Sequence, residues 1–106
     1  MSNRAQKLVD NKIASKKVMV FSKKFCPFCS MAKDVFRKYL GKELDASDYE
    51  VLEIDGENDC DQIQDYLGTM TGQSTVPRVF INGKCIGGGT ETDKLHRQGK
   101  LKTLLN

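Results

Sequence analysis

Lys23-Lys24-Phe25-Cys26-Pro27-Phe28-Cys29-Ser30 stands between a short apolar run, Val18 to Phe21, and an amphipathic segment, Met31 to Leu40. The order reads as a strand, a sharp turn, and a helix that opens on two cysteines. A Cys-x-x-Cys pair at such a junction is a redox signature. The helix N-terminus stabilises a thiolate, and a step of three residues brings the second sulfur within bonding range. Val18-Met19-Val20-Phe21 is continuously apolar, as a strand covered on both faces requires, so 17–22 is the expected central strand. Pro27 suits the first helical position, where its missing N–H would have had no partner anyway.

Working outward, Ala5, Leu8, Val9 and Ile13 recur at helical intervals, which predicts a one-sided helix over 3–14 packed on the domain. Downstream of the cysteines, Ala32, Val35, Phe36, Tyr39 and Leu40 mark a buried helix face, and Gly41 is expected to close it. A polar connection from Glu43 to Asp48 leads into Tyr49 to Asp55, read as a second strand parallel to the first. A helix follows from Asn58 or Asp59, with Ile63, Tyr66, Leu67 and Met70 on one face and Gly72 at its end. Beyond the Gln73-Ser74 loop, Thr75-Val76-Pro77 precedes the β-prone Arg78 to Ile81, then the turn pair Asn82-Gly83, then Lys84-Cys85-Ile86: a hairpin.

Gly87-Gly88-Gly89 frees the backbone before another helix, expected over 91–98 with Thr90 and Asp93 as a capping box. Gly99 breaks it, and Leu101 to Leu105 forms a short terminal helix. The order α-β-α-β-α-β-β-α-α predicts an α/β domain with one mixed sheet and helices against it.

A chain of 106 residues suits a single domain, 1–106, and the expectation is a monomer. The net charge of +3 is too mild to point to nucleic acid and fits a small anionic ligand better. With no long apolar run and no apolar core near the N-terminus, neither a membrane segment nor export is expected, which places the protein in the cytoplasm. In that setting the Cys26/Cys29 pair reads as redox-active rather than as part of a disulfide framework. Cys60 and Cys85 are isolated and His96 is far away, so no metal site is expected. Cys85 reads as packed, and Cys60 as an accessible secondary thiol.

On the first turn of a helix, positions i and i+3 share a face, and a modest rotation there meets disulfide geometry. A free thiol with a pKa of about 8.5 is only about 3% thiolate at pH 7, so the nucleophile needs help. The helix terminus, its free N–H groups, and Lys23 and Lys24 are expected to supply it. Cys26, at the helix edge, is assigned the attack; Cys29, one turn inside and shielded, is assigned resolution.

Several segments resemble the dithiol glutaredoxins, from about Lys17 to Leu105. They are Lys23 ahead of Cys26-Pro27-Phe28-Cys29, then Ile63-Gln64-Asp65-Tyr66-Leu67, Thr75-Val76-Pro77-Arg78-Val79-Phe80-Ile81, and Gly87-Gly88. The resemblance implies a thioredoxin fold with a four-stranded mixed sheet flanked by helices. It also implies a glutathione-dependent thiol-disulfide oxidoreductase that reduces protein disulfides and protein-glutathione mixed disulfides. Glutathione is then co-substrate, glutathionylated proteins are partners, and glutathione reductase is an indirect one.

The same resemblance assigns Lys23 and Gln64 to the glycine carboxylate of glutathione. It makes Pro77 cis, with the Val76 backbone pairing with the cysteinyl part, and places Thr75 in that loop. Gly87 and Gly88 allow close approach, and the next helix start offers N–H groups to the γ-glutamyl carboxylate. Thr90 and Glu91 fall where the family usually has Ser-Asp or Asp-Asp, so Glu91 is expected on the ligand's α-amino group. Phe28 replaces the more frequent Tyr and keeps a flat wall. Pro27 argues against iron-sulfur assembly, since dithiol members with proline there generally lack it. The alternatives are a thioredoxin-like protein disulfide reductase, whose habit is Gly-Pro between the cysteines, and an iron-sulfur or metal-binding module.

Overall fold

The computed structural model describes residues 3–106. Helix α1, Arg4–Ser15, is followed by β1, Val18–Ser22, and α2, Pro27–Arg37. Strand β2, Tyr49–Glu53, leads to α3, Cys60–Thr71, then to the hairpin of β3, Arg78–Ile81, and β4, Lys84–Gly87. Helices α4, Gly89–Arg97, and α5, Lys100–Leu105, end the chain. The four strands are ordered β2-β1-β3-β4, with β1 parallel to β2 and antiparallel to β3, and β3 antiparallel to β4. This is the predicted mixed sheet.

Strand β1 lies between two neighbours and is buried along its whole length. Val18 and Val20 point to one face, into a core with Ala32, Val35 and Phe36 of α2 and Leu101 and Leu105 of α5. Met19 and Phe21 point to the other, among Val9 and Ile13 of α1, Ile63 and Leu67 of α3, and Phe80. Phe21 meets Phe80 edge-on, with ring centroids 5.8 Å apart. The continuous apolar run is thus two alternating faces, each with its own helical layer. In the hairpin turn, Asn82 and Gly83 have φ of 51° and 84°, the positive pair that a tight two-residue connection demands.

Three boundaries differ from the sequence reading. Helix α2 stops at Arg37, short of Leu40, because Tyr39 O accepts from both Lys42 N and Leu44 N, and Gly41 N donates to Leu44 O. That tight turn lets Tyr39 and Leu44 both reach the core. Strand β2 ends at Glu53 instead of Asp55, because Ile54–Gly56 curls into a 3-10 turn that buries Ile54. Helix α4 starts at Gly89, two residues early, and its cap is Gly88 with Glu91, whose Oε1 accepts from Gly88 N at 2.7 Å. Asp93, expected to cap, instead pairs with Arg97 one turn on.

Tyr49 opens β2 against Phe36, ring centroids 5.6 Å apart. Burial, countered by Arg37 and reinforced by Glu53, pushes its hydroxyl up to about 12 from the ordinary 10.0. The folded state keeps a proton that the unfolded chain releases, so Tyr49 takes stability away as pH climbs from 10 toward 12. Tyr49→Phe is expected to flatten the alkaline fall in stability measured by urea unfolding. A fall as steep as in wild type would count against this assignment.

Candidate active site

Strand β1 delivers the chain into the loop of Lys23, Lys24 and Phe25, which is pinned from the side by Lys24 N donating to Asp55 Oδ2 at 3.1 Å. Helix α2 begins immediately after, with Pro27 at its first turn and Cys26 as N-cap. The Cys26 sulfur takes the place a serine or aspartate oxygen fills at other helix starts, accepting Cys29 N–H at 3.3 Å. The sulfur thus sits at the positive end of the helix with a backbone donor aimed at it. Cys26 is partly exposed, and Phe25 beside it is fully exposed.

Cys29 lies one turn inside and is buried. Burial, and next a hydrogen bond with the Cys26 sulfur, push the Cys29 thiol up from its usual value. The Lys23 backbone and the Ser22 hydroxyl pull the other way. All four cysteines are free, so the pair is in its dithiol form. Cys29 is therefore expected to alkylate more slowly than Cys26 with iodoacetamide, and its rate should still be rising above about pH 9, where a free thiol levels off. Peptide mass mapping reads this directly, and labelling of Cys29 at the free-cysteine rate at neutral pH would contradict it. One turn further along α2, Lys33 Nζ pairs with Glu53 Oε2 at 2.9 Å and ties the helix to β2.

The opposite wall comes from the segment before β3 and the start of α4. The Val76-Pro77 bond is cis, and the Val76 carbonyl lies 3.9 Å from Cys26 Sγ, within reach of its S–H. Beyond it runs a groove of about 320 Å³ lined by Phe28, Thr75, Val76, Pro77, Arg78, Gly88, Gly89, Thr90 and Glu91. Gly89 is there for want of room: a Cβ on it would stand 2.4 Å from the Phe28 carbonyl oxygen. That contact seats the first turn of α4 against the first turn of α2.

Of the residues singled out from sequence, Phe28, Thr75, Val76, Pro77, Gly88, Thr90 and Glu91 share this groove. Lys23 and Gln64 do not line it. Gln64 borders a neighbouring hollow with Asp61, Asp65 and Ser74, and half-buried Lys23 lends its backbone to the Cys29 sulfur. The sequence reading missed Arg78, Gly89 and Asp55. A lone charge at the head of Val79-Phe80-Ile81 was the available signal for Arg78; Asp55 carried none. Cys85 and Cys60 are both half-buried against the α1/α3 core.

Residues 18–86, the span from β1 through β4, match the sequence model of the Glutaredoxin family. The chain belongs to the glutaredoxin family. Glutaredoxin-1 of Sus scrofa is 43% identical over 101 residues, which span 95% of this chain and 92% of that protein. The crystal structure of oxidised glutaredoxin 2 from Chlamydomonas reinhardtii has a TM-score of 0.85 at 40% identity, covering 95% of this chain and 90% of that one. A buckwheat glutaredoxin-glutathione complex has the same TM-score, 0.85, at 40% identity, with coverage of 95% and 86%. As a glutaredoxin, the chain is a thiol-disulfide oxidoreductase on a thioredoxin fold, and Cys26-Pro27-Phe28-Cys29 has the dithiol spacing.

Proposed function

We propose that the protein uses glutathione to reduce protein-glutathione mixed disulfides and protein disulfides, with Cys26 as nucleophile and Cys29 as the resolving thiol. The observation that carries this reading is the groove: it begins where Val76 meets the Cys26 sulfur and is lined mainly by the residues that the family resemblance assigns to glutathione. Its volume, about 320 Å³, is at the small end of ligand pockets and suits a tripeptide. The buckwheat relative with glutathione bound adds support.

The chemistry is two successive exchanges. The Cys26 thiolate attacks the glutathione sulfur of a mixed disulfide; that S–S bond breaks, the protein sulfur leaves as thiolate and takes up a proton, and a Cys26-glutathione disulfide forms. A second glutathione thiolate attacks the glutathione sulfur of this intermediate, releasing Cys26 thiolate and glutathione disulfide. With a protein disulfide, Cys26 forms a mixed disulfide with the substrate. Cys29 then gives up its proton and attacks Cys26, freeing the substrate thiol and leaving a Cys26-Cys29 disulfide, which two glutathiones reduce. Burial of Cys29 delays this internal step and lengthens the life of the mixed disulfide, so a second glutathione competes for it.

The test is NADPH consumption in a coupled assay with glutathione, glutathione reductase and a glutathionylated substrate. Turnover that rises with glutathione concentration supports the reading. Reduction only by a flavoprotein reductase, with no response to glutathione, would replace it by the thioredoxin-like alternative.

A further inference from the structure

Phe25 is the most exposed large apolar side chain among the described residues, at 103% against 54% for Phe28, the next. Single exposed apolar side chains are common and by themselves mean little. What sets Phe25 apart is its place. It immediately precedes Cys26, so its Cα stands about 3.8 Å from that of the sulfur-bearing residue. It is held from both ends, because Lys24 N donates to Asp55 Oδ2 and Cys26 is already the N-cap of α2. The groove, which runs from Val76 past Phe28 to the start of α4, does not include it. A small ligand lying in the groove therefore makes no use of this ring.

The reaction itself brings something to cover it. When the Cys26 thiolate attacks a protein disulfide, the substrate S–S bond breaks, one substrate sulfur leaves as thiolate and takes up a proton, and the other becomes bonded to Cys26. The two Cα atoms of a disulfide are about 4.4 to 6.8 Å apart. The substrate backbone beside the attacked cysteine then lies within side-chain reach of Phe25. We infer that Phe25 is a docking anchor for protein disulfides and selects those with an apolar side chain next to the attacked cysteine; this rests on Cys26 as nucleophile and not on the use of glutathione. A phenyl ring offers a large apolar area on a stiff stem, and the loop already holds it in place, so little freedom is lost on contact. In the glutathione mixed-disulfide route the attacked sulfur belongs to glutathione, and the substrate protein stands one sulfur further off. The ring matters less there.

The test uses mixed disulfides of thionitrobenzoate with two short peptides, one carrying leucine and the other serine beside its cysteine, and with glutathione. Attack of Cys26 on the peptide sulfur breaks the S–S bond and releases the coloured thionitrobenzoate thiolate, so absorbance gives a second-order rate constant. The rate left in Cys26→Ser, due to the other thiols, is subtracted. Wild type is expected to attack the leucine peptide on the order of tenfold faster than the serine peptide. Phe25→Ser should treat the two peptides alike, and Phe25→Leu should keep part of the preference. The glutathione derivative should react at the wild-type rate in both variants, a readout that a damaged fold or a less acidic sulfur would move. If wild type does not distinguish the peptides, if Phe25→Ser keeps the preference, or if Phe25→Ser slows the glutathione derivative as much as the leucine peptide, the docking role is wrong. A leucine preference that depends on Phe25, found together with no response to glutathione in the coupled assay, would uphold the docking role and remove the glutathione reading.

Discussion

Replacing Cys26 by serine is expected to lower disulfide reduction on the order of a thousandfold or more on every substrate, with the fold intact. The two halves of that expectation come from the two roles of one atom. As nucleophile, the sulfur has no substitute, because a serine hydroxyl is not ionised near neutral pH and forms no disulfide. As N-cap of α2, it accepts Cys29 N–H, and serine is among the best residues for that task. Thermal unfolding of Cys26→Ser should therefore stay close to wild type, which separates lost chemistry from lost structure. Cys29→Ser should behave differently. It retains the glutathione mixed-disulfide route, which needs one sulfur, and loses the route through a Cys26-Cys29 disulfide. Equal loss on both substrate classes in the two variants would overturn the division of roles.

Gly89→Ala is expected to have the largest structural effect. Its new Cβ would stand 2.4 Å from the Phe28 oxygen and 3.1 Å from the Phe28 carbonyl carbon. These are backbone atoms in the first turn of α2, so neither can swing aside. Helix α4 must lift away, at a cost of about 1 to 3 kcal/mol, typical of overpacking. In a domain of this size the melting temperature should fall by roughly 5 to 15 °C. Because Phe28, Thr90 and Glu91 all line the groove, KM for a glutathione mixed disulfide should rise with it. Gly56 is the control, since a Cβ there meets nothing within 4 Å. A melting shift no larger for Gly89→Ala than for Gly56→Ala would show that the contact carries no weight.

Much of this molecule is legible where local chemistry and tertiary demand agree. The run Val18 to Phe21 had to be a central strand, and Pro27 after Cys26 had to open a helix; both elements start within a residue of the expected positions. The errors lie where a distant contact decides. Tyr39 and Leu40 keep helical spacing after Arg37, but the chain turns there, and Tyr39 Oη is held by His96 Nδ1 of α4 at 2.6 Å. Thr90 and Asp93 have the spacing of a capping box, yet the helix begins earlier because Gly89 can approach the Phe28 backbone where a residue with a Cβ cannot.

The site is legible to a similar degree. The residues around Pro77 and the glycines converge as the family pattern implies, because strand and helix ends impose that convergence. Lys23 and Gln64 lie outside the groove, and whether a long side chain reaches a ligand is not encoded in spacing. Arg78 was read as a strand opener because burial of a charge depends on what the rest of the fold wraps around it.

Strand β1 has a partner on each side, while β4 has only one. The sulfur of Cys26 therefore follows closely on a strand held from both sides, whereas Gly88 to Glu91 follow directly on a strand at the sheet's edge. The sheet thus anchors the two walls of the groove unequally, and it is the approach of Gly89 to the Phe28 carbonyl that ties the edge-mounted wall to the helix carrying the sulfur.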